Sequence, residues 1–543
     1  MVGTMPGFGA AVLALETCSM TERLGVSVPP ACRVLIGEVM KMSSGFALAW
    51  IGFLSAAGCG SEETRARSTD EDTPAVDTEL PGTDTVDAGT TEPDEPAGVT
   101  VRGGALFQGV KLPLFGEDAS TEALPVVVNR PGVFRLYVDL KSAARAQETT
   151  ATFTYKAKDG TVKELTGTRL VKTDSDDDDD ASCVDVALPA DVFHPGLEYA
   201  VTVSTKNTRL VARFPEATDT FAPLPANPLT ETLRIVIVPV QYTADGSARL
   251  PDTGSDQLER MSEEMRALYP VSKVELTVRP EPLTWSQEIE ANGQGWDELL
   301  YGILQLRETD GAADDVYYYG AFNPATSLQS FCSGGGCVLG LSELSTNIRD
   351  AGRRGSIGLG YTGGEAAETF THEVGHAHGR YHAPCGGAGG PDRRFPYSGG
   401  GIGVAGWDVR TSEFVVNSGG RNGGPKDFMG YCSPTWVSDY TWKALYSRIV
   451  GIAGELDTVS SVASVRYRLL RIEEGKAPRW LGTRQVRGGV GDALVKATLK
   501  NGSTRSFPQV ELDHLGGHVV YVPASLSGQS LRIEGSSVAV TVP

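Results

Sequence analysis

Four of the seven histidines in this 543-residue chain fall in one stretch, His372-Glu373-Val374-Gly375-His376-Ala377-His378-Gly379-Arg380-Tyr381-His382. On a helix, residues four apart stack on one face. His372 and His376 therefore present two imidazoles to the same point. Glu373 sits about 60–100° round the helix from them, close enough to reach a metal-held water without binding the metal. Ala367, Phe370, Val374 and Ala377 form the opposite, apolar face. Gly379 tolerates positive φ and lets the chain leave the helix, so that His382 can return as a third ligand. Three histidines and a water make a tetrahedral catalytic zinc site with one open position. Glu373 then stands where a general base is needed. His378 points about 140° away from the metal pair and is expected in the surface or second layer.

The full spacing, H-E-x-x-H-x-x-G-x-x-H, resembles the signature of the metzincin zinc proteases. Downstream, Lys426-Asp427-Phe428-Met429-Gly430-Tyr431-Cys432 resembles the metzincin Met-turn, with Met429 as the apolar floor beneath the metal. Tyr431 matches the tyrosine that, in the astacin and serralysin branches, approaches the metal and helps stabilise the transition state. Ala383 follows His382 in place of the acidic, serine or proline residue of familiar branches. The strings HAPCG and DFMGYCSPTWVSDY instead resemble exported bacterial metalloproteases related to the mucin-cleaving secreted proteases of enteric bacteria. The resemblance covers about residues 230–455. It implies His372, His376 and His382 as ligands of one zinc ion, and Glu373 and Tyr431 as catalytic residues. It also implies a peptide substrate lying antiparallel to an edge strand near residues 337–341. The mucin preference does not carry over, because no pocket residue can be matched.

The elements that must hold such a site are legible in order. Residues 233–238 (LRIVIV) read as a buried strand and 255–268 as an amphipathic helix stopped by Pro270. Residues 274–278 read as a strand, 296–307 as a helix and 315–319 as a strand. Residues 337–341 make an edge strand, and 355–361 a glycine-rich strand leading into the histidine helix. Strands alternating with helices imply a mostly parallel sheet. Residues 436–449 are expected to form a closing helix.

On either side the apolar period is two. Phe134, Leu136, Val138 and Leu140 alternate with Arg135, Tyr137 and Asp139, and Val465, Tyr467 and Leu469 alternate with Arg466 and Arg468. Half-buried strands between Pro and Gly turns suggest a β-sandwich on each side. The fold class is thus multidomain: an α/β metzincin-like catalytic domain (226–455) flanked by two small all-β, sandwich-like domains (99–225 and 456–543). The aspartate run 176–180 lacks the spaced ligands and glycine turn of a calcium loop and reads as a solvated loop. His514 and His518, four apart in a glycine turn, have no further ligands nearby in sequence and do not make a second metal site.

Residues 1–59 read as processing sequence. Their apolar run 45–58 has the length of a signal-peptide core rather than of a membrane span. Met40 is a candidate start, which would make 1–39 a misassigned extension. The run ends Ser-Ala-Ala-Gly-Cys59, which resembles a lipobox and implies a lipid anchor on Cys59. Residues 60–98 carry twelve acidic and two basic residues and cannot bury enough apolar surface to fold. The formal charge of −20 without a basic stripe argues against a nucleic-acid partner.

Export would place the cysteines in an oxidising compartment. In a metzincin-like fold Cys385 and Cys432 both flank the metal, which implies a disulfide closing a loop worth ~4 kcal/mol in the chain-entropy model. Cys332 and Cys337 would form the other bridge and leave Cys183 unpaired; the rival pairing joins Cys337 to Cys385. The expected activity is that of an exported, lipid-anchored zinc endopeptidase acting on extracellular proteins or glycoproteins. The alternatives are a surface adhesion or carbohydrate-binding protein with a protease-like domain, or a zinc hydrolase of a non-peptide bond.

Overall fold

The computed structural model describes residues 98–543, apart from 117, 120–121, 142–145, 419–422, 457–463, 488–489, 491–492 and 513. Residues 1–59, read above as processing sequence and including Cys59, and the acidic segment 60–97 lie outside the described residues. The described part is β-rich, with several sheets and few helices.

The site is held by a mixed sheet. Its longest strand, Thr232–Tyr242, pairs in parallel with Lys273–Val278 on one side and Val316–Phe322 on the other. Val316–Phe322 pairs in parallel with Gly355–Leu359, and Gly340–Ser342 closes the order as an antiparallel edge strand. The strands read at 315–319 and 337–341 therefore begin later than the apolar runs suggested. Cys337 is held instead by its disulfide to Cys332, and Val338 N–H donates to Ala291 O at 2.9 Å.

Helix Ser255–Leu268 buries Met261, Met265 and Leu268. It packs beside the histidine helix, Gly364–Ala377. Gln257 hydrogen-bonds Gly363 through both its amide nitrogen and its oxygen, at 3.0 and 2.8 Å. That pair fixes where the histidine helix starts. The closing helix runs Asp439–Leu456. Trp436 lies before it in a short strand and donates its indole N–H to Gly109 O at 2.9 Å.

Residues 99–223 build a four-stranded and a five-stranded sheet, whose apolar faces meet in one core. Strand Gly132–Leu140 departs from its half-buried pattern, because Arg135 and Tyr137 are buried as well. Their face is covered by Trp407 and Phe414, which pair in the two-stranded sheet of Gly406–Asp408 and Glu413–Val415 after the histidine helix. Arg135 keeps its charge there through Asp185 and Asp180, at 2.8 and 2.9 Å. The aspartate run is accordingly not a purely solvated loop: Asp177 accepts from Lys111 and Tyr137, both at 2.6 Å. Arg130 reaches out of this region to cap helix Ser255–Leu268, donating to the carbonyls of Arg266, Ala267 and Tyr269 at 2.5–3.2 Å. A helix leaves its last carbonyls unsatisfied, so this arginine supplies the cap.

The C-terminal residues form a seven-stranded antiparallel path in two halves that share strand Thr504–Glu511. Leu470, Phe507, Val520 and Val522 make a core on one face. The opposite face, with Leu469, Val519 and Tyr521, packs into a core shared with Trp296 and Leu300 of helix Trp296–Thr309.

Candidate metal centre

Phe370, Val374 and Ala377 are buried against the sheet and helix Ser255–Leu268, which turns His372, Glu373 and His376 toward a cleft of about 1060 Å³. At the helix end Gly379 takes φ 83°. Its N–H donates to His376 O at 2.8 Å, and Arg380 N–H to Gly375 O at 3.0 Å. This is a Schellman ending, and it returns the chain so that His382 faces the same point.

The three imidazoles are oriented alike. His372 Nδ1 bonds Phe428 O at 2.9 Å, His376 Nδ1 bonds Arg380 O at 2.6 Å and His382 Nδ1 bonds Gly389 O at 2.6 Å. A carbonyl only accepts, so each Nδ1 carries the proton and each Nε2 is left as a lone pair. The Nε2 atoms of His372 and His376 then face each other at 3.0 Å. Two lone pairs at that distance repel unless a cation lies between them, and orientation of metal-binding histidines through the other ring N–H is general. The residues therefore fit a metal ion. The sequence-predicted trio is brought together, and His514 joins it, with the candidate ligand atoms of all four within 4.8 Å of one another.

Glu373 is buried beside them, and its Oε2 has no hydrogen-bond partner among the described residues. Met429 lies under the helix: a Cβ on Gly375 would come within 2.5 Å of its sulfur. Asp427, fully buried and not singled out in the sequence, shapes that turn. It accepts from the N–H groups of Met429 and Ser438, both at 2.9 Å. The Cys385–Cys432 disulfide ties the His382 segment to the same turn, and Ala383 N–H donates to Met429 O at 2.9 Å. Tyr431, about half exposed, places its hydroxyl 3.1 Å from His382 Nε2.

His378 is second-layer and buried rather than surface. It stacks on Tyr317 at 4.2 Å and donates from Nδ1 to Val374 O at 2.8 Å; burial pushes its imidazole down to about 3. Cys183 is a buried free thiol in the cluster with Phe107 and Trp407, and it is not among the grouped metal-ligating residues. His514 and His518 do not act as a pair, since only His514 belongs to the cluster.

No family model matches the chain, and no curated protein matches it. Among solved structures, one match is a calcium binding mutant of Bacteroides uniformis beta-glucuronidase 2, at 10% identity and a TM-score of 0.14. It covers 42% of this chain and 25% of that one, so the chain spans about a quarter of that structure's length. A likeness at that score carries no argument, and the site rests on its own geometry.

Because His382 comes from beyond the helix, its loss leaves only two of the three sequence-predicted ligands. We expect His382→Ala to lower bound metal strongly against wild type in elemental analysis of dialysed protein. Undiminished metal would place the third ligand elsewhere.

Proposed function

We propose that this chain is a zinc-dependent endopeptidase of the metzincin type, with the sheet of Thr232–Tyr242 and the histidine helix as its α/β catalytic core. The observation that carries the reading is the pair of proton-free Nε2 atoms facing each other at 3.0 Å beside a buried carboxylate oxygen without a partner. Zinc held by His372, His376 and His382 would supply Lewis acidity, polarising a carbonyl and lowering the pKa of water toward about 7. Glu373 Oε2 then takes a proton from water and gives it to the leaving amine, as base and then acid. The Tyr431 hydroxyl donates to the oxygen that gains charge on the scissile carbonyl. A peptide in the cleft pairs with the edge strand Gly340–Ser342 by main-chain hydrogen bonds.

The two disulfides, Cys332–Cys337 and Cys385–Cys432, fit an oxidising compartment outside the cytoplasm. No helix among the described residues is long and apolar enough to cross a membrane. We assign the membrane link to a lipid on Cys59 and the substrate to extracellular proteins or glycoproteins. Terminal-specific proteomics on a secreted-protein and glycoprotein library tests the activity. New peptide ends are expected with wild type and absent with Glu373→Ala; identical ends from both would remove the protease assignment.

A further inference from the structure

His514 is the one member of the histidine cluster that comes from the C-terminal sheet, 132 residues beyond His382. It sits in the turn between strands Thr504–Glu511 and His518–Pro523, in the left-handed region at φ 60°. A non-glycine residue held there is uncommon, and such strain persists only where the surroundings fix it. They do so here. Leu512 pairs with Glu343, just past the edge strand. Leu515 fills the space above Gly293, where a Cβ would come within 2.2 Å of its Cδ2. The buried Arg471 donates to Gly516 O at 2.6 Å while its other arm pairs with Asp297 at 3.2 Å.

The ring of His514 is held differently from those of the other three. Each of them spends Nδ1–H on a main-chain carbonyl and turns Nε2 toward the common point. His514 instead sets Nε2 3.1 Å from Glu373 Oε1 and Nδ1 on the Tyr431 hydroxyl, with its ring stacked on the tyrosine at 5.6 Å and 14°. A carboxylate only accepts, so Nε2 carries the proton, and the remaining lone pair, on Nδ1, faces Tyr431. The ring is thus oriented by two side chains of the site, not by a main-chain carbonyl as the other three are. Meanwhile Glu373 Oε2 is unpartnered. Without His514 the buried carboxylate would lose a charge-assisted bond and be free to turn onto the histidine trio as a ligand.

We propose that His514 is a positioning residue of the active site. It holds the Glu373 carboxylate off the metal position and the Tyr431 hydroxyl beside it, so the site is complete only with the C-terminal sheet in place. This rests on the peptidase reading above, and its test includes a measurement that needs no turnover.

The test uses the exported chain with isotopically labelled histidine, loaded with enriched cadmium. Metal–nitrogen couplings are expected on three imidazoles and not on His514, and the His514 ring signals should move in Glu373→Gln and in Tyr431→Phe. In the zinc form, His514→Ala should keep wild-type metal content and lose turnover by roughly 10²-fold, the scale of an ångström-level misplacement, with KM within about twofold. His514→Gln, which can still donate to Glu373, should recover about tenfold. A fourth coupled ring, metal loss in His514→Ala, a rise in its activity, or unchanged turnover would each overturn the proposal. If the Glu373→Ala comparison removes the peptidase assignment, the coupling pattern still reads His514 directly.

Discussion

Glu373→Gln is expected to lower turnover by about 10²–10⁴-fold, the usual contribution of a positioned acid–base group, while leaving one metal per chain. Glutamine keeps the shape and fills the same buried space, but its amide cannot take a proton from water. It also turns the bond from His514 Nε2 into one between a donor and an amide that offers a single acceptor atom. The geometry makes this substitution more informative than alanine, because it separates loss of the base from loss of packing. Equal metal content with wild-type turnover would mean that Glu373 is structural. The measurement is steady-state kinetics on a peptide taken from the cleavage sites found by proteomics, with elemental analysis on the same preparations.

Much of the metal site was legible because its residues lie close together in sequence and obey a helix period. The helix face, the turn at Gly379 and the convergence of His372, His376 and His382 follow from spacing alone. Met429 and the Cys385–Cys432 pairing needed a resemblance, since nothing local links residue 382 to residue 429. His514 gave no usable signal. Its sequence neighbour in pattern is His518, and what brings it to Glu373 is the docking of a sheet whose partner surface is written in helix Trp296–Thr309. The same limit explains Arg135. Alternation reveals which face of a strand is apolar, but not whether another segment also covers the polar face.

Glu343→Gln is expected to cost about 3–5 kcal/mol of stability, the cost of breaking a buried ion pair by removing one partner. Glu343 follows the edge strand and is fully buried. It accepts from Arg353 Nε at 2.9 Å, Arg484 Nη1 at 3.1 Å and Tyr521 OH at 3.0 Å, and from Tyr301. Arg484 and Tyr521 belong to the C-terminal sheet and Tyr301 to helix Trp296–Thr309, so one carboxylate joins three elements. Burial alone would raise its pKa, but the guanidiniums of Arg353 and Arg484 outweigh that and hold it at about 2. A folded pKa below the unfolded value means that the stabilisation is present above about 4.5 and is lost as pH falls toward 2. The stability gap between wild type and Glu343→Gln should therefore be full at neutral pH and shrink below about 4.5. Denaturant unfolding of both proteins across that range checks the sign. Hydrogen exchange should show the earliest added opening in the strands that carry Arg484 and Tyr521. Because Leu512 pairs with Glu343 two residues before His514, loosening there should also reduce turnover. An unchanged midpoint at pH 7, or a gap that widens on acidification, would mean that the network does not dock the C-terminal sheet.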